Sequence, residues 1–203
     1  MRYFRCTFMI AGLLVTCDPA LSQDLGPTST ENAATEAQTL GDESVKDVQA
    51  LLTDLKRERD PEAASEIAAE ITTHWNTSGS PTIDLLMQWA AEAIKERRNP
   101  AALDFLDQAI TLRPDFAGAW NQRATLHYTM NDYGKAMSDI EHVLAIEPRH
   151  FGALAGMAAI LAERGREEMS LKAWERYLEI YPADREAQDL VTKLSEKLAG
   201  SRT

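Results

Sequence analysis

From Val45 to Leu198 the apolar residues fall on helical spacing, and the pattern predicts nine helices and no strand. Val48, Leu51, Leu52 and Leu55 stand at i, i+3, i+4 and i+7, one face of a first helix. Asp60-Pro61 then reads as a cap followed by proline at the first helical position, opening a second helix with Ala64, Ile67, Ala68 and Ile71. A third runs from Ile83 to about Arg98, and Asn99-Pro100 repeats the cap-then-proline start of a fourth that ends near Leu112. The next pairs are Phe116–Met130 with Tyr133–Ile146, turning at Asn131-Asp132, and His150–Glu163 with Glu167–Ile180, turning at Gly165. Asp184 caps a last helix to about Leu198. Its apolar side is Ala187, Leu190, Val191, Leu194 and Leu198, and charge covers the remainder.

A longer period overlies this one. Pro114, Pro148 and Pro182 stand 34 residues apart. Eight residues before each are Leu106, Ile140 and Trp174, and four earlier still are the small residues Ala102, Ala136 and Ser170. Ala90, Ala124 and Ala158 recur in the same phase, each preceded by a large apolar residue: Leu86, Trp120 and Leu154. Small residues mark close helix approach, and large ones mark interlocking. A repeat of this length signals a helical array.

On these residues the chain resembles the tetratricopeptide repeat family, whose 34-residue helix–turn–helix unit carries a W-x2-L-G-x2-Y, A-x3-F, P pattern. Residues 117–150 match best, with Trp120, Ala124, Ala136 and Pro148; they depart at Arg123, His127 and Ile140, where the pattern has Leu, Tyr and Phe. The resemblance implies an all-α solenoid with repeats 83–116, 117–150 and 151–184 and a capping helix at 185–199. Residues 45–82 read as a degenerate first repeat, giving one domain over 45–199. Its spacing to the next unit is 38 rather than 34, with the four extra residues placed in the exit loop around Asn76–Pro81.

The amino terminus is of another kind. Arg2 and Arg5 precede the apolar run Phe8–Val15, and Ala20-Leu21-Ser22 ends it with small residues, the pattern of a secretory signal over 1–22 cleaved before Gln23. The alternative is a lipoprotein signal with lipidation at Cys17, where Thr16 departs from the usual lipobox. Either reading places the protein outside the cytoplasm, in the periplasm or cell envelope, and only cleavage removes both cysteines, Cys6 and Cys17. Residues 23–44, rich in small, polar and acidic residues, read as a flexible linker. The net charge is −11, and loss of Arg2, Arg5 and Asp18 leaves 19 basic and 31 acidic residues, net −12. Such a surface repels phosphate backbones and anionic headgroups, so neither nucleic acid nor a membrane is an expected partner.

No catalytic signature appears. The four histidines, His74, His127, His142 and His150, form no metal-binding pair, and no phosphate-loop or nucleophile motif is present, so no enzyme activity, cofactor or metal is expected. Acid pairs such as Asp104 with Asp107 and Asp139 with Glu141 read as solvated outer faces. Trp89, Trp120 and Trp174 read as packing residues, and Trp75 as a staple on its adjoining loop.

The family resemblance implies a concave face lined by every second, fifth, ninth and twelfth residue of each first helix. On this chain these are Lys46, Gln49, Thr53 and Lys56; Asp84, Met87, Ala91 and Ile94; Gly118, Asn121, Thr125 and Tyr128; and Gly152, Ala155, Ala159 and Ala162. Gln49, Met87, Ala91, Asn121, Gln122, Thr125 and Tyr128 are therefore the candidate groove residues for a protein or peptide partner. Some family members clamp a terminal carboxylate with Lys, Arg and Asn; here Asn121 alone resembles that clamp. The expected function is a protein- or peptide-binding scaffold. The alternatives are an enzyme or accessory subunit with an unrecognised acidic site, and a structural spacer in an envelope complex.

Overall fold

The computed structural model describes residues 48–200, all in helices or short connectors. The expected signal, the linker and the start of the first helix lie outside the described residues. The helices are α1 (48–57), α2 (Pro61–Asn76), α3 (Pro81–Lys95), α4 (Asn99–Leu112), α5 (Ala117–Thr129), α6 (Tyr133–Ile146), α7 (Phe151–Glu163), α8 (Glu167–Ile180) and α9 (Arg185–Gly200). The fold is all-α and tetratricopeptide-like, with helices paired α3·α4, α5·α6 and α7·α8.

Local chemistry sets the boundaries. Asp60 caps α2 through its carboxylate on the Glu62 amide, with Pro61 in the first turn. Asp184 Oδ1 does the same for the Ala187 amide at α9. At α4 the expectation shifts by one residue: Arg98, not Asn99, is the cap, and it makes no side-chain capping bond. The turns within the three pairs are alike. Arg97, Asn131 and Gly165, 34 residues apart, take left-handed backbone with φ of 60°, 60° and 69°. The next amide in each case closes back onto the helix, from Arg98 to Ala93, from Asp132 to His127 and from Arg166 to Leu161. This is the Schellman closure, and it satisfies carbonyls that the helix end would otherwise strand.

The small residues of the period are buried where helices cross: Ala90, Ala102, Ala136 and Ala158 are fully buried and Ala124 nearly so. Ser170, standing where the pattern prefers alanine, is also fully buried and donates its hydroxyl to the Ala158 carbonyl at 2.8 Å. One core joins α3, α4 and the first face of α5; a second joins α5, α6 and α7.

The α1–α2 hairpin departs from the expected stack. Val48, Leu52, Leu55, Ala64, Ala68 and Ile71 share a core not with α3 but with Phe151 and Leu154 of α7, Tyr177 of α8, Tyr181 and Ala183 in the α8–α9 connector, and Ala187 of α9. Trp75 at the end of α2 stacks on His150, with ring centroids 4.1 Å apart, and tilts onto Phe151. The Trp75 backbone passes so close to α5 that a Cβ on Gly118 would lie 2.5 Å from its carbonyl oxygen. Residues 48–76 therefore cross the later units instead of preceding the first. Nor do the four extra residues lie in the exit loop. α2 has 16 residues against 14 in α4, α6 and α8, and α3 has 15 against 13 in α5 and α7. Aromatic area decides the seat: Phe151, Tyr177 and Tyr181 offer α2 and its Trp75 a large apolar contact that α3 does not match.

Candidate functional site

Asn121, Thr125 and Tyr128 project from α5 on one stripe, as their i, i+4, i+7 spacing requires. Across from them α7 presents Gly152, Ala153, Gly156 and Ile160, and Ala124 and Ile140 form the floor. Together these nine residues line a cavity of about 130 Å³, none of them carrying a formal charge. Glycine at 152 and 156 keeps the α7 wall low. At 156 it also allows close approach, because a Cβ there would lie 3.3 Å from the Ile140 side chain.

The polar groups of this strip differ in availability. Thr125 donates its hydroxyl to the Asn121 carbonyl at 2.9 Å, so the threonine is satisfied within its own helix. Tyr128 is half-buried with its ring tilted 5.7 Å from that of Tyr133. Asn121 is half-buried at the rim. An amide with two donors and an acceptor beside an aromatic ring can read a polypeptide backbone.

The other candidate residues lie elsewhere. Gln122 is half-buried and outside the cavity lining, and Ala91 is exposed on α3. Met87 is a correction: at 8% exposure it belongs to the α3–α4–α5 core and presents almost nothing to a partner. Gln49 is exposed on α1 and accepts from Arg149 Nη2 at 2.6 Å, so the hairpin brings it to the end of the array opposite the expected one. Gly118 lies buried under the end of α2, and Ala155 packs against the hairpin core. The strip around Asn121 thus begins beside a segment of the chain itself.

Behind the strip lies a feature that sequence reasoning missed. Asp139 is not on a solvated outer face; it is 3% exposed. Arg123 holds it in a two-pronged pair, Nε to Oδ2 at 2.9 Å and Nη2 to Oδ1 at 2.6 Å, and reaches Asp107 of α4 with Nη1 at 2.6 Å. The guanidinium also lies over Trp120, 4.8 Å from its ring centre. Its hydrogen bond to Asp139 raises the Arg123 pKa, ahead of the opposing cost of burial. His127 is buried beside this pair with Nε2 3.9 Å from Asp139; desolvation lowers its pKa, and its Nδ1 has no partner. Two of the three departures from the repeat pattern, Arg123 and His127, therefore flank one carboxylate. The 16-residue offsets on either side, Asp107 to Arg123 and Arg123 to Asp139, were the available signal.

Of the aromatic residues expected to pack, Trp120 and Trp174 do lie against the cores, while Trp89 and the Trp75 staple need correction. Trp89 is 47% exposed, leaning on Phe105 rather than sitting in a core. Trp120 is half-buried, stacks parallel on His142 at 4.1 Å and donates Nε1–H to the Pro114 carbonyl at 2.8 Å. Trp75 staples α2 to α7 rather than to the adjoining loop. Among the described residues, no group of three or more His, Cys, Asp or Glu is arranged to hold a metal ion. No helix among them is long and apolar enough to cross a membrane.

Helix pairs stacked at a 34-residue interval, with first helices forming one wall, define an α-solenoid of short repeats. Residues 117–150 match the family model described as tetratricopeptide repeat. The chain is 67% identical over 153 residues to a TPR repeat-containing protein of Rhizobium etli, a match covering 75% of each. It is 27% identical over 97 residues to small glutamine-rich tetratricopeptide repeat-containing protein 2 of Saccharomyces cerevisiae, covering 48% of this chain and 28% of that one. The chain belongs to the tetratricopeptide repeat family. Among solved structures, the first TPR of Spaghetti (RPAP3) bound to the HSP90 peptide SRMEEVD superposes with a TM-score of 0.55 at 22% identity, covering 59% of this chain and 95% of that one. The TPR2B domain of yeast Sti1 in complex with an Hsp70 peptide gives 0.53 at 17% identity, covering 58% and 99%. At those identities the likeness speaks for the fold.

Proposed function

We propose that the protein is a non-enzymatic binding scaffold of the cell envelope that takes a partner polypeptide in the strip between α5 and α7. The observation that carries this reading is the uncharged cavity bounded by Asn121, Thr125 and Tyr128 on one side and Gly152 and Gly156 on the other. Related folds hold peptides, among them the HSP90 peptide on Spaghetti and the Hsp70 peptide on Sti1. The acidic SRMEEVD peptide has no cationic counterpart here, since the cavity lining contains no Lys or Arg. The ligand that fits is a neutral stretch of polypeptide, read through its backbone by Asn121 and packed by the Tyr128 ring. The envelope assignment rests on Arg2, Arg5, the Phe8–Val15 run and Ala20-Leu21-Ser22.

The test is a pull-down from envelope extract followed by calorimetric titration of the captured partner. Interface energy concentrates in a few buried anchors, so Tyr128→Ala is expected to cost about 2 kcal/mol of affinity, with Asn121→Ala in the same direction. Glu141→Ala on the exposed back of α6 is the control, because Asp139 is buried and cannot serve. A partner that tolerates both groove changes and loses affinity with the control would move the binding surface to the other side. Intact mass of the exported form, expected to begin at Gln23, tests the location; a lipid adduct on Cys17 would place the protein on a membrane instead.

A further inference from the structure

Each first helix of the array turns one face back toward the preceding pair. On α5 this face includes Ala119 and Leu126, both in the core shared with α3 and α4. On α7 it includes Ala153 and Ile160, in the core shared with α5 and α6. All four are 2% exposed or less. The equivalent positions on α3, 34 residues before Ala119 and Leu126, are Leu85, 42% exposed, and Glu92, also exposed. Trp89, standing where α5 has Arg123, is 47% exposed. A terminal repeat of a solenoid is expected to show a polar outer face. Here α3 shows a leucine and a tryptophan one turn apart.

The segment built to cover that face is present and seated elsewhere. Four residues, 77–80, connect α2 to α3, as four connect α4 to α5, α6 to α7 and α8 to α9. Three residues, 58–60, turn α1 into α2, as three do in each later pair. The hairpin therefore has the loop lengths of a repeat and enough connector to stack on α3. Gly79 in that connector sits at φ +74° with open space around it, so the chain can turn there without a side-chain clash. Its present seat is an apolar core in which Leu55, Ala64 and Ile71 are fully buried. It is pinned besides by Trp75 on His150 and Phe151, Gln49 on Arg149, Ser65 on the Tyr181 hydroxyl, and the Trp75 carbonyl over Gly118. Exchange must therefore carry that apolar face from one cover to another.

We propose that the Leu85–Trp89 face of α3 is an interaction surface whose partner is the chain's own α1–α2 hairpin, which exchanges between this first-repeat seat and its seat on α7–α9. In the second seat it crowds Gly118 and Ala155, at the edge of the strip between α5 and α7. Exchange to the first seat extends the free concave face by the residues it uncovers. That consequence for a ligand rests on the groove reading above; the exchange itself does not.

Gly118→Leu tests it in the full chain, because a side chain at 118 collides with the Trp75 carbonyl and closes the second seat. It also meets the Phe116 ring of the α3–α4–α5 core at 2.7 Å, so the Trp75→Ala, Arg149→Ala opener, which leaves Phe116 untouched, is always read beside it. The readout is amide hydrogen exchange without any partner, so its result is independent of whether the groove binds a peptide. The expected result is slower exchange across α3, on the order of tenfold, with α1–α2 still protected and α8 unchanged as a folding control. Adding Leu85→Glu and Trp89→Glu is then expected to strip protection from α1–α2. The double variant Trp75→Ala with Arg149→Ala is the milder opener, read the same way, and it decides alone should Gly118→Leu fail to fold. Loss of protection in α1–α2 with no gain on α3 overturns the proposal, as does a hairpin that neither opener moves. Protection of α3 that appears only with a dimeric mass and rises with concentration also overturns it, assigning the face to a second copy.

Discussion

The Arg123–Asp139 pair should be asymmetric when broken, and the asymmetry follows from where each charge sits. Replacing Arg123 with leucine, the residue the repeat pattern prefers, leaves the Asp139 side chain 4% exposed with its two-pronged partner gone. An uncompensated buried charge typically costs about 3–5 kcal/mol. Replacing Asp139 with leucine leaves Arg123 with Asp107 at 2.6 Å, the face of Trp120 and 19% of its side chain in solvent, so about 1–2 kcal/mol is expected. The double variant removes both charges and should be more stable than Arg123→Leu alone, because apolar residues of similar volume commonly replace a buried pair at little cost. Urea unfolding followed by circular dichroism measures all three, and the cycle isolates a coupling of roughly 2–3 kcal/mol. If Arg123→Leu costs no more than the double variant, Asp139 is not held by Arg123 and the packing between α5 and α6 has been misread.

Two further outcomes are expected from the turns and from the hairpin seat. Arg97 is exposed and holds φ 60°, where glycine is unstrained, so Arg97→Gly should raise stability by about 1 kcal/mol in the same assay, while Asn131→Gly should gain less because asparagine tolerates that region. His150 is 4% exposed between Trp75 and α7, and burial lowers its pKa to about 4, below the ordinary value of 6.5. The folded state thus binds this proton later than the unfolded chain, so its contribution is intact above about 6.5 and is lost as pH falls toward about 4, by at most roughly 3 kcal/mol. His150→Asn keeps a side chain able to cap α7; unfolding midpoints at pH 7 and pH 4.5 should lie closer together in the variant than in the parent. Equal spacing in both would mean that other groups carry the acid sensitivity.

Much of the fold was legible because its determinants are local or strictly periodic. The 3.6-residue spacing marks the helices, and the 34-residue spacing of Ala90, Ala124 and Ala158 marks where they cross. The turns were legible at Asn131-Asp132 and Gly165, though not at Arg97, whose left-handed backbone no composition rule predicts. Within the site, Asn121, Thr125 and Tyr128 could be grouped because they belong to one helix, and the cavity between α5 and α7 does bring them together. Met87 could not be separated from them, since its stripe position is the same and only the arrival of α4 and α5 buries it. Asp139 was misread for the converse reason. A carboxylate on a helix is ordinarily solvated, and its burial depends on a guanidinium sixteen residues earlier on a different helix.

The seat of α1–α2 lies further beyond sequence pattern, and the reason bears on function. Amphipathicity says that Val48, Leu52, Leu55, Ala64, Ala68 and Ile71 must be covered, but it does not say by what. Two surfaces of this chain qualify. One is the vacant face of α3 with Leu85 and Trp89; the other is the aromatic group of Phe151, Tyr177 and Tyr181. The first has the repeat register and loop lengths in its favour. The second offers three rings beside the stacked pair of Trp75 and His150, and large aromatic contacts carry more apolar area than one leucine and one tryptophan. The difference between two such seats is a difference between similar terms, so a change at a single crossing can reverse it. Gly118 is that crossing: a Cβ there would lie 2.5 Å from the Trp75 carbonyl of the hairpin and 2.7 Å from the Phe116 ring, so the seat on α7–α9 needs glycine at this one position.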